Sequence, residues 1–474
     1  MDRLVVPSRR DLLRSTACGF GSLAVAGLLH REARSAPAPA VPVPHVPPRA
    51  RRVIFLFMAG GVSQVDSFDH KPVLEREDGR SREFADSRTR ARGGTGTKAR
   101  VMKPLWPFRP RGTCGKWTSD LFPAIGEHVD RLCFLHGMHT EGVAHGPATL
   151  FLHTGTTTQI RPSVGSWVSY ALGGGDENLP AFVSLAPSIG NGGPRNHGAA
   201  FLPAVHQGTA VGRAGMPARE AGIRLLGNGA RDAAAQREQF DLVQSLNRAQ
   251  RAARGDEDST LDAIVESYEL AWRMQACAPE VLDISGETPA TLDLYGIGTK
   301  PTDDYGRLCL MARRLAEAGV RYIQVNYSDN SNNPAWDQHS NMPKHADHAR
   351  AVDRPIAGLL ADLAARGLLD DTLVWWGGEF GRNPFAQDNG TGRDHDPDGF
   401  TVWLAGGGVT PGFSHGATDE FGHVAVEGRT HMHDLHATVL HLLGIDHTRL
   451  TFPFAGRDFR LTDVAGEVIR PILG

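Results

Sequence analysis

Residues 51–61, RRVIFLFMAGG, combine a run of large apolar side chains with two glycines at its end. A continuous apolar run that stops at glycines is typical of a strand buried on both faces and followed by a tight loop. Two buried faces imply a parallel sheet with helices on either side. This stretch therefore indicates an α/β fold.

Five further stretches have the same apolar character, and helical patterns separate them. The apolar stretches are RLCFLHGM (131–138), PAFVSLA (180–186), VRYIQVNY (320–327), TLVWWGG (372–378) and FTVWLAGG (400–407). Helical patterns cover residues 304–319, 345–367 and 432–444, and Pro355 is expected to kink the second. Strands that alternate with helices predict a doubly wound, mostly parallel α/β sheet with helices on both faces.

Two segments depart from this alternation. Residues 230–278 lack strand patterns and predict a helical insertion. Residues 75–112 are basic, contain glycines and lack periodicity, so they form either a solvated surface loop or a cationic rim that attracts an anionic substrate.

Composition limits the classes of partner. The chain has 474 residues, 41% of them hydrophobic and 22% charged, which is enough for a large core in one or two domains. A net charge of -3 gives no reason to expect nucleic acid as a partner. No segment after the N-terminal region is long and apolar enough to span a membrane.

The N-terminus predicts export. Arg9 and Arg10 precede a moderately apolar run, which indicates a twin-arginine (Tat) signal over residues 1–40, cleaved among residues 35–40. The alternative is a buried helix or a membrane anchor, but Arg14 and several glycines weaken the run as a permanent span. A proline-rich linker is then expected over residues 41–50, followed by a domain over 51–473. The protein is expected in the periplasm or at the cell surface.

Four cysteines remain once Cys18 leaves with the signal. They are widely spaced and form no CxxC pair, so they give no zinc signature. Four free thiols and a single disulfide are both compatible with this spacing. The four are Cys114, Cys133, Cys277 and Cys309.

Polar residues lie at the ends of three predicted strands. In open α/β sheets, ligands bind beyond the carboxyl ends of the strands. Asp337 and His339 follow one strand, Glu379 ends another, and Asp394 and His395 precede the strand over 400–407. Each group alone also fits a turn cap, an ion pair or a solvated acidic turn. Their joint position predicts a site for a divalent metal. Two histidine pairs with i,i+3 spacing are reserve ligands: His345 with His348, and His433 with His436.

The loop after the first strand, MAGGVSQVDSFD (58–69), is a second candidate region. Its two glycines would allow the backbone to approach an oxyanion. Ser63 is a candidate nucleophile, and Asp66 or Asp69 a candidate ligand; the alternative is a tight turn capped by Asp66. GxSxG, Walker and GxGxxG motifs do not occur in a credible context, which disfavours an ordinary serine esterase and nucleotide binding.

The stretch AHGPATLFLHTG (144–155) resembles the layout by which hydrolases present a nucleophile at a helix start, but its leading residue is His145. Together with FMAGGVSQVDSFDHKP, WDQHSN, GGEFGRNP, GRDHDPDGFTVWLAGGG and HDLHATVLHLLGIDH, it resembles DUF1501, a bacterial family of unknown function that is plentiful in planctomycetes. That family looks like a distant branch of the alkaline phosphatase and sulfatase superfamily. Pro147, Thr154 and Gly155 are in register with the sulfatase Cys-x-Pro-Ser-Arg…Thr-Gly element.

The sequence departs from the sulfatase pattern at several positions. The first strand ends in FMAGG where sulfatases have paired aspartates, so two ligands are missing unless Asp66 or Asp69 replaces them. His145 stands at the nucleophile position, and Glu379–Phe380 stands in place of a late Asp–His pair.

The resemblance implies an exported, metal-dependent hydrolase of sulfate or phosphate esters with one or two divalent ions, zinc or calcium. Its substrate would be an anionic ester, such as a sulfated polysaccharide, and the Tat translocon would be a partner during export. His145 would face the transferred group, and Arg382 or Arg393 would neutralise its charge. The implied metal ligands are Asp337, His339, Glu379, Asp394, His395 and Asp66.

Three interpretations of His145 stay open. It binds the metal, and a metal-activated water attacks the ester. It attacks and carries a phosphoryl group itself, or Ser63 or Thr149 serves instead. Or the catalytic apparatus has decayed, leaving a binding protein for a polysaccharide or a protein partner.

Overall fold

The computed structural model describes residues 44–223, 232–254, 259–329, 333–387 and 390–474. The predicted export signal (1–40) and the first residues of the predicted linker lie outside these ranges. Residues 44–50 of that linker are packed against the C-terminal region. The backbone amide of Val46 donates to the carbonyl of Gly444, and those of Arg49 and Ala50 donate to the carbonyl of Leu442.

The described residues form a central sheet of nine strands. Its order is β8-β2-β7-β6-β1-β5-β3-β4, and β9 also pairs with β2. Neighbouring strands are parallel except at β7, which is antiparallel to both β6 and β2. The strands are β1 (Arg52–Met58), β2 (Leu132–His139), β3 (Phe182–Leu185), β4 (Thr209–Val211), β5 (Tyr322–Tyr327), β6 (Thr372–Gly377), β7 (Phe400–Ala405), β8 (Phe413–His415) and β9 (Thr430–His431).

Strand β1 lies inside the sheet, between β5 and β6, as its apolar sequence requires. Successive side chains of a strand point to opposite faces. Ile54 and Leu56 therefore enter one apolar layer, and Phe55 and Phe57 enter the other. The prediction of a mostly parallel α/β sheet is confirmed, and all six predicted strands are present.

Helices cover both faces of the sheet. The layer that contains Ile54 packs against α9 and α10, and the layer that contains Phe55 packs against α5 and α11. Helix α10 continues through Pro355. The helices are α1 (Pro72–Arg76), α2 (Ser87–Ala91), α3 (Pro123–Gly126), α4 (His145–Thr154), α5 (Val164–Leu172), α6 (Ala233–Arg254), α7 (Ser259–Leu282), α8 (Pro289–Leu294), α9 (Asp303–Glu317), α10 (His345–Ala365) and α11 (Met432–Leu442).

Short two-stranded sheets are present besides the central sheet. The region where an insertion was predicted holds α6 and α7. Within the basic segment 75–112, the amide of Met102 donates to the carbonyl of Pro384, which joins this segment to the loop before β7. The small sheets pair Ser81–Phe84 with Thr97–Arg100, Phe108–Arg111 with Lys116–Ser119, Gly381–Arg382 with His395–Asp396, Ala417–Thr418 with Ala425–Glu427, and Phe452–Phe454 with Arg457–Phe459.

Two further features of the described residues concern the cysteines and the apolar length of the helices. Cys114, Cys133, Cys277 and Cys309 are all free thiols. In the part of the chain that the structure describes, no helix is both long and apolar enough to cross a membrane.

Candidate metal centre

Four side chains from three parts of the chain converge at one edge of the sheet. They are His145, Asp337, His339 and His395, and one ligand atom from each lies within 4.8 Å of the other three. His145 begins α4 after β2, and Asp337 and His339 follow β5. His395 precedes β7. Because β7 is antiparallel, its beginning lies at the same edge as the carboxyl ends of the parallel strands.

Asp337 Oδ1 is the centre of this cluster. It lies 2.9 Å from Nε2 of His339, 3.1 Å from Nε2 of His145 and 3.3 Å from Nε2 of His395. The Nε2 atoms of His339 and His395 are 3.0 Å apart. Three imidazoles therefore present the same nitrogen to one carboxylate oxygen.

The opposite nitrogen, Nδ1, of each imidazole faces a hydrogen-bond acceptor. For His145 the acceptor is Oε1 of Glu379 at 2.7 Å, for His395 the carbonyl of Val143 at 2.8 Å. For His339 it is Oε1 of Gln387 at 2.6 Å. An acceptor at Nδ1 places the proton of a neutral imidazole there and leaves a lone pair on Nε2. Three lone pairs and a carboxylate oxygen thus point at one another, an arrangement that a cation between them would stabilise.

The donor set fits a divalent metal. Imidazole nitrogen and carboxylate oxygen are ligands of zinc, and ligands at about 2.0–2.1 Å from a tetrahedral ion lie about 3.3 Å from each other. The contacts of 2.9–3.3 Å around Asp337 Oδ1 match that spacing. Apart from the contact with Asp337 Oδ1 at 3.1 Å, the buried Nε2 of His145 has no hydrogen-bond partner. Three nitrogens and one oxygen favour zinc over calcium, which takes oxygen ligands.

The protonation states of two ligands suit metal binding. Burial opposes ionisation of Asp337, but the close contacts with the three imidazoles and the charge of Arg382 hold its pKa well below the usual range. Burial, with the charges of Arg382 and His145, lowers the pKa of His395 to about 4. Burial works to lower the pKa of His145, but the neighbouring carboxylates of Asp337 and Glu379 outweigh it, and the net effect is to raise this pKa. At neutral pH, Asp337 is ionised and His395 is neutral, as metal ligands must be.

Glu379 fixes the ring of His145 through its Nδ1 atom, on the side opposite Asp337. Its carboxylate is fully buried and accepts from the amide of Gly60 with both oxygens, at 3.0 and 3.1 Å, besides contacting His145. Gly60 has φ of 114°, and a Cβ there would lie 2.7 Å from the backbone nitrogen of Asp337. The glycine at the end of β1 is therefore required for this close approach.

The sequence of this chain also matches a known protein family. The family model described as "Protein of unknown function (DUF1501)" matches residues 50–473. The chain belongs to the DUF1501 family. No curated protein matches this DUF1501 chain.

Several solved structures are similar to the DUF1501 chain. The PsFucS1 sulfatase from Pseudoalteromonas sp. is 12% identical with a TM-score of 0.34, over 97% of this chain and 77% of that one. The lipoteichoic acid synthase LtaP from Listeria monocytogenes is 9% identical with a TM-score of 0.37, over 94% and 81%. Ps i-CgsB, solved with k-i-k-neocarrahexaose, is 13% identical with a TM-score of 0.37, over 83% and 72%.

The two predicted arginines of this DUF1501 protein are fully buried behind the cluster. Arg382 donates to Asp337 Oδ1 at 2.8 Å and to the backbone carbonyls of Gly60, Gly61, Trp336 and Arg393. Its guanidinium thus fixes the carboxylate of Asp337 and three loops, and is turned to the protein rather than to a substrate.

Arg393 is engaged in the same way, with the loop after β1. Its Nε donates to Asp66 Oδ2 at 2.8 Å, and Ser63 Oγ donates to the same oxygen at 2.6 Å. Asp66 Oδ1 accepts from the amide of Leu105 at 2.8 Å. Ser63, Asp66 and Arg393 are all fully buried and bind one another, and the predicted nucleophile Ser63 and the predicted ligand Asp66 are not among the four residues of the cluster.

The other predicted ligands lie near the cluster or away from it. Asp394 Oδ1 accepts from the amide of His395 at 2.8 Å and lies 3.4 Å from Nδ1 of His339, so it supports two ligands. Asp69 pairs with Lys71 at 3.1 Å. The reserve histidines His345, His348, His433 and His436 are not members of the cluster.

Replacing Glu379 by glutamine is expected to weaken metal binding about 10- to 100-fold, the usual effect of losing a partner of a ligating histidine. An amide has a single acceptor oxygen, whereas Glu379 accepts with both. Competition with a chromogenic chelator measures the change. Glu420→Gln, at an exposed position, is the matched control. Equal affinities for the Glu379 variant and wild type would show that this carboxylate does not support His145.

Proposed function

We propose that this DUF1501 protein is a metal-dependent hydrolase of sulfate or phosphate esters. The observation that carries the proposal is the convergence of Nε2 of His145, His339 and His395 on Asp337 Oδ1. Three histidines and one carboxylate at the carboxyl edge of an α/β sheet can hold a divalent metal, and a water or ester oxygen would join them as a fifth ligand, the coordination that catalytic zinc sites can reach. The sequence resemblance to the sulfatase and alkaline phosphatase superfamily supports ester hydrolysis as the reaction.

The chain's own residues prepare the site. When bound, a divalent metal polarises an ester oxygen and lowers the pKa of a coordinated water. Asp337 and the three histidines hold that ion. Glu379 fixes the ring of His145, and Arg382 fixes the carboxylate of Asp337. The uncapped N-terminal end of α4, at His145, favours an anionic group beside the metal.

Of the three interpretations of His145, the proposal takes the one in which it binds the metal. Its Nδ1 is held by Glu379 at 2.7 Å, and its Nε2 faces Asp337 Oδ1 at 3.1 Å. An imidazole with both nitrogens directed at carboxylates is poorly placed to attack an ester. Ser63, whose hydroxyl donates to Asp66, is likewise turned away from the metal cluster.

Export and the substrate class belong to the same proposal. We infer that Arg9 and Arg10 direct the folded protein through the Tat translocon to the periplasm or cell surface. There it would meet anionic esters such as sulfated polysaccharides. N-terminal sequencing of protein from the native host tests the export: a start within residues 36–41 supports it, and a chain that retains Met1 contradicts it.

A panel of aryl sulfates, phosphates, phosphonates and acetates tests the reaction. The zinc-loaded protein is expected to hydrolyse a sulfate or a phosphate, and removing the metal with a chelator is expected to lower the rate at least about 100-fold. Restoring zinc should restore the rate. Turnover of acetates alone would indicate an esterase. Absence of turnover by the loaded protein would instead favour a binding protein.

A further inference from the structure

A small pocket opens beside the metal centre, at the carboxyl ends of β1, β3 and β5. Phe57 and Ala59 line it at β1, and Gln324 and Asn326 line it at β5. The loop 187–197 after β3 closes the other side. The space holds about one water-sized group. Such a pocket accepts a single substituent rather than a whole ring.

Two residues that line this pocket are close in the chain to residues of the candidate metal centre. Thr149, which lines it, lies one turn after His145 on the same face of α4. Ala59, which also lines it, precedes Gly60, whose amide holds Glu379. The Cβ atoms of Thr149 and His145 are therefore about 5–6 Å apart, so the pocket and the candidate metal centre share one turn of α4.

The wall of the pocket is neutral. No Asp, Glu, Lys or Arg is among the described residues that line it. Burial lowers the pKa of His197 to about 4, so this ring carries no charge at neutral pH. A sulfate or phosphate group would find no cation there, so the pocket is unsuited to the anionic part of an ester.

Two buried atoms in the wall have no partner. They are Oδ1 of Asn196 and Nδ1 of His197, on residues that are each 8% exposed. The amide nitrogen of Asn196 donates to the carbonyl of Asn191 at 3.1 Å, which fixes Oδ1 as the atom left over. A Cβ at Gly192 would lie 2.3 Å from that oxygen, so only a glycine allows Oδ1 to take this position. A buried acceptor without a partner requires a donor such as a hydroxyl.

The loop that carries these atoms is held in a strained conformation. Ala186, Asn191 and Ala200 have φ between 44° and 49°, in the left-handed region that non-glycine residues rarely adopt. Gln207 fixes the loop by donating to the carbonyl of His197 and accepting from the amide of Ala199. Strained positions that a surrounding structure holds in place cluster at ligand-binding sites.

We propose that this pocket binds a hydroxyl group on the alcohol part of the ester, so that the substrate is an ester of a sugar or another polyol. The hydroxyl donates to Asn196 Oδ1 while the anionic group lies at the metal. This inference rests on the proposed ester hydrolysis, and it adds the place where a hydroxyl of the alcohol part binds.

Two esters of the same anion test it by kinetics. Glycerol 1-phosphate carries hydroxyls next to the ester, and 4-nitrophenyl phosphate carries none; the corresponding sulfates serve if sulfate is the preferred anion. In Asn196→Ala, kcat/KM is expected to fall about tenfold for the glycerol ester, the effect of one lost hydrogen bond, and to change less than about twofold for the nitrophenyl ester. Asn178→Ala, at the amino edge of the sheet, is the control.

A binding measurement separates this inference from the proposed function. Saturation-transfer NMR uses glycerol and methyl galactoside as probes on the zinc-loaded protein. Binding to wild type that is lost in Asn196→Ala supports the hydroxyl pocket, even if no ester is turned over. If esters are turned over but Asn196→Ala changes both kcat/KM values equally or neither, the hydrolase stands and the pocket is overturned. Failure of both probes to bind, with no discrimination between the esters, means that the pocket holds ordered water only.

Discussion

The Asp337→Ala variant is expected to bind no metal and to lose about 3–5 kcal/mol of unfolding free energy. Asp337 supplies the single oxygen of the cluster and lies 2.8 Å from the guanidinium of Arg382, which is fully buried. Removing the carboxylate deletes one ligand and leaves a buried cation without its counter-charge. The large loss of stability reflects that uncompensated charge.

Elemental analysis and urea unfolding of the metal-free proteins measure the two effects of the Asp337 variant. Asp347→Ala is the matched control, because Asp347 also pairs with an arginine, Arg350, but on the surface. Surface pairs contribute about 0–1 kcal/mol, so this control should stay near wild type and keep its metal. An Asp337→Ala variant with a full complement of metal would remove Asp337 from the ligand set.

The Asp66→Ala variant is expected to lose stability to a similar extent, about 3–5 kcal/mol, and yet to keep its metal when folded. Asp66 pairs with Arg393 at 2.8 Å, and neither side chain is exposed. Its other oxygen accepts from Leu105, so the carboxylate joins the basic segment 75–112 to the loop after β1. Nothing in this network reaches the four metal ligands directly.

The contrast between these two aspartates distinguishes a structural carboxylate from a ligand. Both oppose a buried arginine, so urea unfolding should show similar losses. Only the Asp337 variant should lose metal, measured at low temperature where both variants are folded. If a folded Asp66→Ala protein also lost its metal, then Asp66 would belong to the ligand set, as the sequence suggested.

The apolar runs were sufficient to predict the sheet but not the direction of every strand. FTVWLAGG is as apolar as its neighbours, yet β7 is antiparallel to both β6 and β2. Apolarity reports burial on two faces and carries no information about direction. The short edge strands β4, β8 and β9, of two or three residues each, lack such runs and could not be predicted from them.

The position of polar residues at strand ends identified most of the cluster. Asp337, His339 and His395 were expected as ligands, and all three are in it. The role of His145 stayed open in the sequence, because its position resembled that of a nucleophile. The structure brings its Nε2 into the cluster and its Nδ1 to Glu379.

The roles of the residues that orient the imidazoles depend on how the loops fold. Glu379 was expected to bind metal, but the amide of Gly60 and the ring of His145 engage its oxygens. Gln387 and the carbonyl of Val143, which orient two imidazoles, were not predicted. A lone glutamine and a backbone carbonyl carry no sequence pattern, and their roles follow only from how the loops fold.

Metal content of the purified mature protein tests the central claim most directly. Wild type and His395→Ala are expressed with metals supplied, beside His441→Ala, a half-exposed histidine at the end of α11, as control. We expect about one zinc per chain in wild type and in the control, and almost none in His395→Ala. Metal-free wild-type protein, or equal metal in His395→Ala, would contradict a metal centre formed by His145, Asp337, His339 and His395.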